Sequence, residues 1–261
     1  MARIQCNFFS YSLGFPVDIQ IILPSLSPCD MDSPQLLTHK LEAKYPVLYL
    51  LHGHGNDYLS WSRFTSMERY VEERRIAAVS CSVGNKAYMN AEYGERYFDF
   101  VAQELPELVQ ANFPISARPE DTYLAGLSMG GYGTLCHGLS HPQSYRAIGA
   151  FSPVPVLTSE EGPTRLGHTL PPTLNPYELI QNNRAAGTAM PDLFLCIGQK
   201  DFLFQPVRAF HQYLLEQNIP HRYDENAAYE HEWGFWDLEL PQFLDWLPRT
   251  DPFVRMDLHK M

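Results

Sequence analysis

Short, wholly apolar runs alternate along this chain with stretches whose apolar residues return every three or four positions. Val47-Leu48-Tyr49-Leu50-Leu51 is apolar throughout, as a parallel strand covered on both faces should be. Tyr123-Leu124-Ala125, Ala147 to Phe151 and Leu193 to Ile197 repeat the pattern, and Ile76 to Val83, interrupted by Ser80 and Ser82, reads as a further strand. Ile4 to Ser10 and Val17 to Leu23 read as two earlier strands, and His221-Arg222-Tyr223 as a short late one. Helical spacing covers segments within Ser66 to Arg74, Tyr97 to Asn112, Tyr132 to Leu139, Gln205 to Gln217 and Trp233 to Trp246. Pro106 predicts a kink or a break in the second of these.

Strands that alternate with helices predict an α/β fold: a mostly parallel central sheet with helices on both faces. No internal repeat, low-complexity tract or linker interrupts it, so residues 1–261 are expected to form one domain. Two segments read as loops. One runs from Pro24 to about Lys44 and is rich in turn residues. The other, about 153–190, holds Pro153, Pro155, Pro163, Pro171, Pro172 and Pro176 and reads as a lid-like segment bordering a pocket.

Composition narrows the partners. A hydrophobic content of 45%, with 15 Phe, 15 Tyr and 4 Trp in 261 residues, supplies a substantial core. A formal net charge of −11 argues against a general nucleic-acid binder, which needs clustered Lys and Arg. The longest strongly apolar run, around Val47 to Leu51, is too short to span a bilayer, so no membrane partner is expected. The start of the chain has no signal-type apolar stretch, and the 5 cysteines show no C-x-x-C spacing. The expectation is a cytoplasmic protein with reduced thiols.

The most informative segment is Gly126-Leu127-Ser128-Met129-Gly130, at the junction of a strand and a helix. A serine between two glycines there is the pattern of a nucleophile elbow. The turn must be sharp enough to lift the hydroxyl off the sheet, and a Cβ at either glycine would strike a neighbouring element. The following helix aims free N–H groups at the oxygen under attack. The pattern alone also fits an ordinary strand-to-helix turn, so the rest of the machinery decides.

A serine hydroxyl needs a base, and the base needs an orienting carboxylate; in this kind of fold the order is Ser, Asp or Glu, then His. His231 lies in the polar stretch before the last helix, where the base belongs, whereas His211 and His221 fall in a helix and a strand and His259 in the terminal tail. Asp201 follows the strand ending at Ile197, at the carboxyl end where catalytic groups gather. Asp224 is the main rival, Asp192 lies at the wrong end of its strand, and Asp201 could also be a helix cap. The oxyanion needs N–H donors. Met129 follows the nucleophile, and the loop His52-Gly53-His54-Gly55 after the Val47–Leu51 strand offers the N–H of His54. His52-Gly53-His54 also has a metal-ligand spacing, for which Asp57 is the near candidate partner. Tyr58, Trp61, Phe202 and Trp233 are candidates for the substrate pocket, with a plain core role as the alternative.

Four stretches together carry a resemblance: Pro46 to Gly53, Ala125 to Gly133, Gly198-Gln199-Lys200-Asp201-Phe202-Leu203, and His231-Glu232-Trp233-Gly234-Phe235-Trp236. The chain resembles the esterase D family of α/β-hydrolases, and within it the tributyrin or acetyl esterase branch, related to feruloyl esterases and S-formylglutathione hydrolases. The resemblance implies an α/β-hydrolase fold, a triad of Ser128, Asp201 and His231, no cofactor, and a small-molecule ester as substrate, with short-chain or aromatic acyl groups. It allows a homo-oligomer, although no interface is identified in the sequence. Alternatives are acyl transfer or thioester hydrolysis with the same triad, or a catalytically inactive binding module.

Overall fold

The apolar runs become the middle of one eight-stranded sheet. The computed structural model describes residues 1–26, 38–157 and 174–255. Its strands are β1 (Ala2–Phe9), β2 (Pro16–Leu23), β3 (Val47–Leu51), β4 (Ala77–Cys81), β5 (Thr122–Leu127), β6 (Ala147–Phe151), β7 (Asp192–Gly198) and β8 (His221–Asn226). They lie in the order β1-β2-β4-β3-β5-β6-β7-β8. β1 and β2 pair antiparallel, as do β2 and β4, and every pairing from β4 to β8 is parallel. This is the sheet of an α/β-hydrolase.

Parallel strands buried on both faces send alternate residues to opposite cores. Val47, Tyr49 and Leu51 of β3 join one core with Val109 of α4 (Leu105–Asn112), Tyr132 and Leu135 of α5 (Met129–Ser140), and Val207 and Phe210 of α7 (Phe204–Glu216). Leu48 and Leu50 join the other, with Trp61 of α1 (Ser60–Phe64), Val71 of α2 (Met67–Glu73), and Phe235 and Phe243 of α8 (Trp233–Trp246). The chain runs from β3 outward to β4, then returns to place β5 on the other side of β3. The carboxyl ends of β3 and β5, where that reversal falls, are the place where open α/β sheets bind ligands.

The expected strands and helices fall close to their places, with four differences. The helix from Tyr97 to Asn112 is composite: α3 (Tyr97–Asp99), a π-helical stretch (Phe100–Glu104), then α4. Pro106 has no N–H to continue an α ladder, and the wider turn comes immediately ahead of it. The short strand at His221 extends to Asn226. Helix α1 is an addition; the turn ahead of it is braced by Asp57, which accepts the Leu59 N–H at 2.9 Å and the Ser60 hydroxyl at 3.0 Å. Part of the proline-rich segment is α6 (Pro176–Ala185), with Pro176 in its first turn, where a missing N–H is harmless, and the Asn175 side chain capping it. The lid expected at about 153–190 falls in part on residues 158–173, outside the described residues, as do residues 27–37 of the Pro24–Lys44 loop. Among the described residues no helix is long and apolar enough to cross a membrane.

Candidate active site

Ser128 stands between β5 and α5 with φ 54° and ψ −116°, a left-handed conformation costly for any residue with a Cβ. Such strain persists only where the surroundings over-determine it. Here the Ser128 N–H donates to the Phe151 carbonyl at 2.9 Å, and the Ser128 carbonyl accepts from Tyr132 N–H at 3.0 Å and Val154 N–H at 3.3 Å. The flanking glycines make the turn possible. A Cβ on Gly126 would lie 2.4 Å from the Gly130 carbonyl oxygen, and one on Gly130 would lie 2.5 Å from the Leu51 oxygen. The elbow therefore packs backbone against backbone at the end of β3, and the Ser128 side chain is only half-buried.

Asp201 and His231 meet although 30 residues separate them: His231 Nδ1 lies 2.8 Å from Asp201 Oδ2. The other Asp201 oxygen accepts the Leu203 N–H at 2.8 Å. One carboxylate thus shapes its own turn and holds the imidazole. Its side chain is fully buried, while that of His231 remains 18% exposed. The two loops are stitched by backbone bonds from Gln199 N–H to the Asn226 oxygen at 2.8 Å and from Lys200 N–H to the Tyr229 oxygen at 3.1 Å. Gly198 lets them approach, since a Cβ there would sit 2.3 Å from the Tyr229 oxygen. The rival carboxylates are engaged elsewhere. Asp224 pairs with Arg222 at 2.6 Å, and Asp192 with Arg146 at 2.8 Å.

The loop after β3 turns in beside the serine: a Cβ on Gly53 would lie 3.5 Å from Ser128 Cβ. His54 is exposed, and among the described residues its backbone N–H has no hydrogen-bond acceptor. Met129 opens α5, so its N–H has no partner within the helix. His52 is buried, which lowers its pKa, and both ring nitrogens are engaged: Nε2 with Val83 N–H at 3.1 Å and Nδ1 with the Gly53 oxygen at 2.7 Å. Neither nitrogen is left for a metal, and Asp57 is occupied by the Leu59 N–H, the Ser60 hydroxyl and Arg63 at 3.1 Å. Among the described residues no three His, Cys, Asp or Glu side chains are placed to hold a metal ion.

The pocket candidates separate. Phe202 is 75% exposed, with its ring 4.6 Å from that of His231. Tyr58 is half-buried and donates its N–H to the Ser82 hydroxyl at 2.9 Å. Trp233 is half-buried against Phe64 and Trp61. Trp61 is a correction: it is fully buried, its indole N–H bonds the Leu51 carbonyl at 3.1 Å, and its ring packs on Phe151, so it belongs to the core beneath the site. Two residues near the site were given no role from the sequence. Trp236 sets the edge of its ring against His231, centroids 5.0 Å apart, and donates its N–H to the Ser152 hydroxyl at 3.2 Å. Ser152 in turn follows Phe151, whose carbonyl holds Ser128.

Fold and sequence together define an α/β-hydrolase that cleaves carboxylic esters. The Esterase family model matches residues 10–247, and the chain belongs to that family. It is 28% identical to an acetyl esterase of Caldicellulosiruptor saccharolyticus, over 96% of this chain and 99% of that protein. Among solved structures it is similar to FphF, a fluorophosphonate-binding serine hydrolase of Staphylococcus aureus (TM-score 0.84, 27% identity, 95% of this chain and 99% of that one). It is also similar to the S-formylglutathione hydrolase FrmB of the same organism (TM-score 0.78, 27% identity, 94% and 98%).

Proposed function

We propose that this esterase hydrolyses short-chain acyl esters through a triad of Ser128, His231 and Asp201. The observation that carries the reading is the 2.8 Å bond from buried Asp201 to the Nδ1 of His231, in a chain that also holds Ser128 in a strained elbow. Asp201 fixes the proton on Nδ1, which leaves Nε2 as the base. Ser128 Oγ attacks the ester carbonyl carbon and passes its proton to Nε2. The N–H groups of His54 and Met129 hold the oxygen that becomes negative. As the tetrahedral intermediate collapses, His231 returns the proton to the departing alcohol, leaving an acyl-serine. Water, deprotonated by the same imidazole, then releases the acid and regenerates Ser128. The similarity to an acetyl esterase supports a small acyl group. Exposed Phe202 and half-buried Tyr58 and Trp233 are proposed to border the pocket. Each step uses only protein groups and water.

The test is hydrolysis of 4-nitrophenyl acetate, butyrate and octanoate and of methyl ferulate by the wild type and by Ser128→Ala. Turnover should be highest for the short chains and fall by a factor on the order of 10⁴ or more in the variant, with the circular dichroism unchanged. A folded Ser128→Ala enzyme with wild-type turnover removes Ser128 from the mechanism, and a preference for octanoate or ferulate replaces the acyl class.

A further inference from the structure

His52 does more than fill space. Its Nε2 accepts the Val83 N–H at 3.1 Å, so the single proton of the neutral ring sits on Nδ1. Nδ1 donates it to the Gly53 carbonyl at 2.7 Å. The Asn56 N–H gives that same oxygen a second bond at 3.2 Å. The Gly53 carbonyl and the His54 N–H belong to one planar trans peptide and point in opposite directions. Two donors gripping the oxygen therefore fix the direction of the His54 N–H.

Tyr88 joins this loop to the helix that starts at Met129. It holds φ 63°, and Ala87 before it holds φ 52°, both in the left-handed region that a bulky side chain avoids. Three attachments keep Tyr88 there. Its hydroxyl donates to the His52 carbonyl at 2.8 Å. Its own carbonyl accepts from Nε2 of His137, on α5, at 3.0 Å. Its ring fills the space that Gly133 of α5 leaves, where a Cβ would come within 2.6 Å. Tyr88 and His52 are both buried.

We propose that His52 and Tyr88 are positioning residues that set the oxyanion hole: His52 aims the His54 N–H, and Tyr88 fixes the separation between that loop and the Met129 N–H. The proposal rests on the assignment of those two N–H groups as the oxyanion donors. A residue of this kind acts in the transition state and leaves ground-state binding alone. A displacement of about 1 Å in such a donor is enough to slow the chemistry strongly.

The experiment compares Tyr88→Phe and His52→Gln with the wild type on 4-nitrophenyl acetate, and measures inhibition by an alkyl trifluoromethyl ketone, whose serine adduct carries an oxyanion. Both variants should lose about 10- to 100-fold in kcat with KM within about 2-fold, and bind the ketone more weakly by a similar factor. Unchanged kcat and ketone affinity in both variants overturns the proposal. A lower kcat with unchanged ketone affinity, or loss of the folded circular dichroism signal in both, also overturns it. A wild-type enzyme insensitive to the ketone would instead fault the underlying donor assignment.

Discussion

At the scale of single residues, Asp201 divides its work between two oxygens, and this makes its role separable. Asp201→Asn keeps an oxygen for the Leu203 N–H but can no longer hold His231 in the right tautomer. Its kcat is expected to fall on the order of 10⁴-fold in steady-state assays, with little change in thermal denaturation. Glu239 makes a different prediction. It is buried on α8, one oxygen is unpartnered, and burial, reinforced by Asp224 and opposed by Arg222, pushes its pKa up to about 7. A folded-state pKa above the unfolded value means that the native state favours the protonated acid. Its stabilising effect is present below about pH 4.5 and is lost as pH rises towards 7. Glu239→Gln should therefore flatten the pH dependence. In urea titrations it should be more stable than the wild type at pH 8, by on the order of 2–3 kcal/mol, and the difference should shrink towards pH 4.5.

At the scale of elements, the elbow is a junction of three backbones, which sets the outcome of Gly130→Ala. The added Cβ would lie 2.5 Å from the Leu51 oxygen and 2.7 Å from the His52 oxygen, neither of which can swing aside as a side chain would. Either the end of β3 or the start of α5 must move. The variant should lose at least about 2 kcal/mol in denaturant unfolding and on the order of 100-fold or more in kcat. The same local steric logic made the elbow readable in the sequence only in company: Gly-x-Ser-x-Gly after an apolar run also fits an ordinary turn, and the Asp201 and His231 segments pointed to the sharper one. β3 and β6 were legible for a similar reason: each is a continuous apolar run ended by its own breaking residues. Helix α6 was not, because Pro176 looks like loop material until it is seen in a first helical turn. The π stretch before Pro106 was legible only as a break, not as a wider turn.

At the scale of the whole molecule, the strand order sets the His52–Gly55 loop beside Ser128, and the parallel pairing of β7 and β8 brings Asp201 and His231 together. Sequence order narrowed the candidates, because the order of elements fixes which loops share an end of the sheet, but it left Asp224 as a rival to Asp201. The links behind them stayed hidden. Tyr88 to His52 and Trp236 to Ser152 are tertiary meetings of residues far apart in the chain, and no local pattern announces them. The central claim, that this fold presents Ser128 as an activated nucleophile, is tested most directly by covalent capture. Incubation with an alkyl fluorophosphonate, followed by digestion and mass spectrometry, should place one phosphonyl group on Ser128, with no adduct in Ser128→Ala and much slower labelling in His231→Ala. A folded protein that takes no label, or takes it at another residue, would contradict the account.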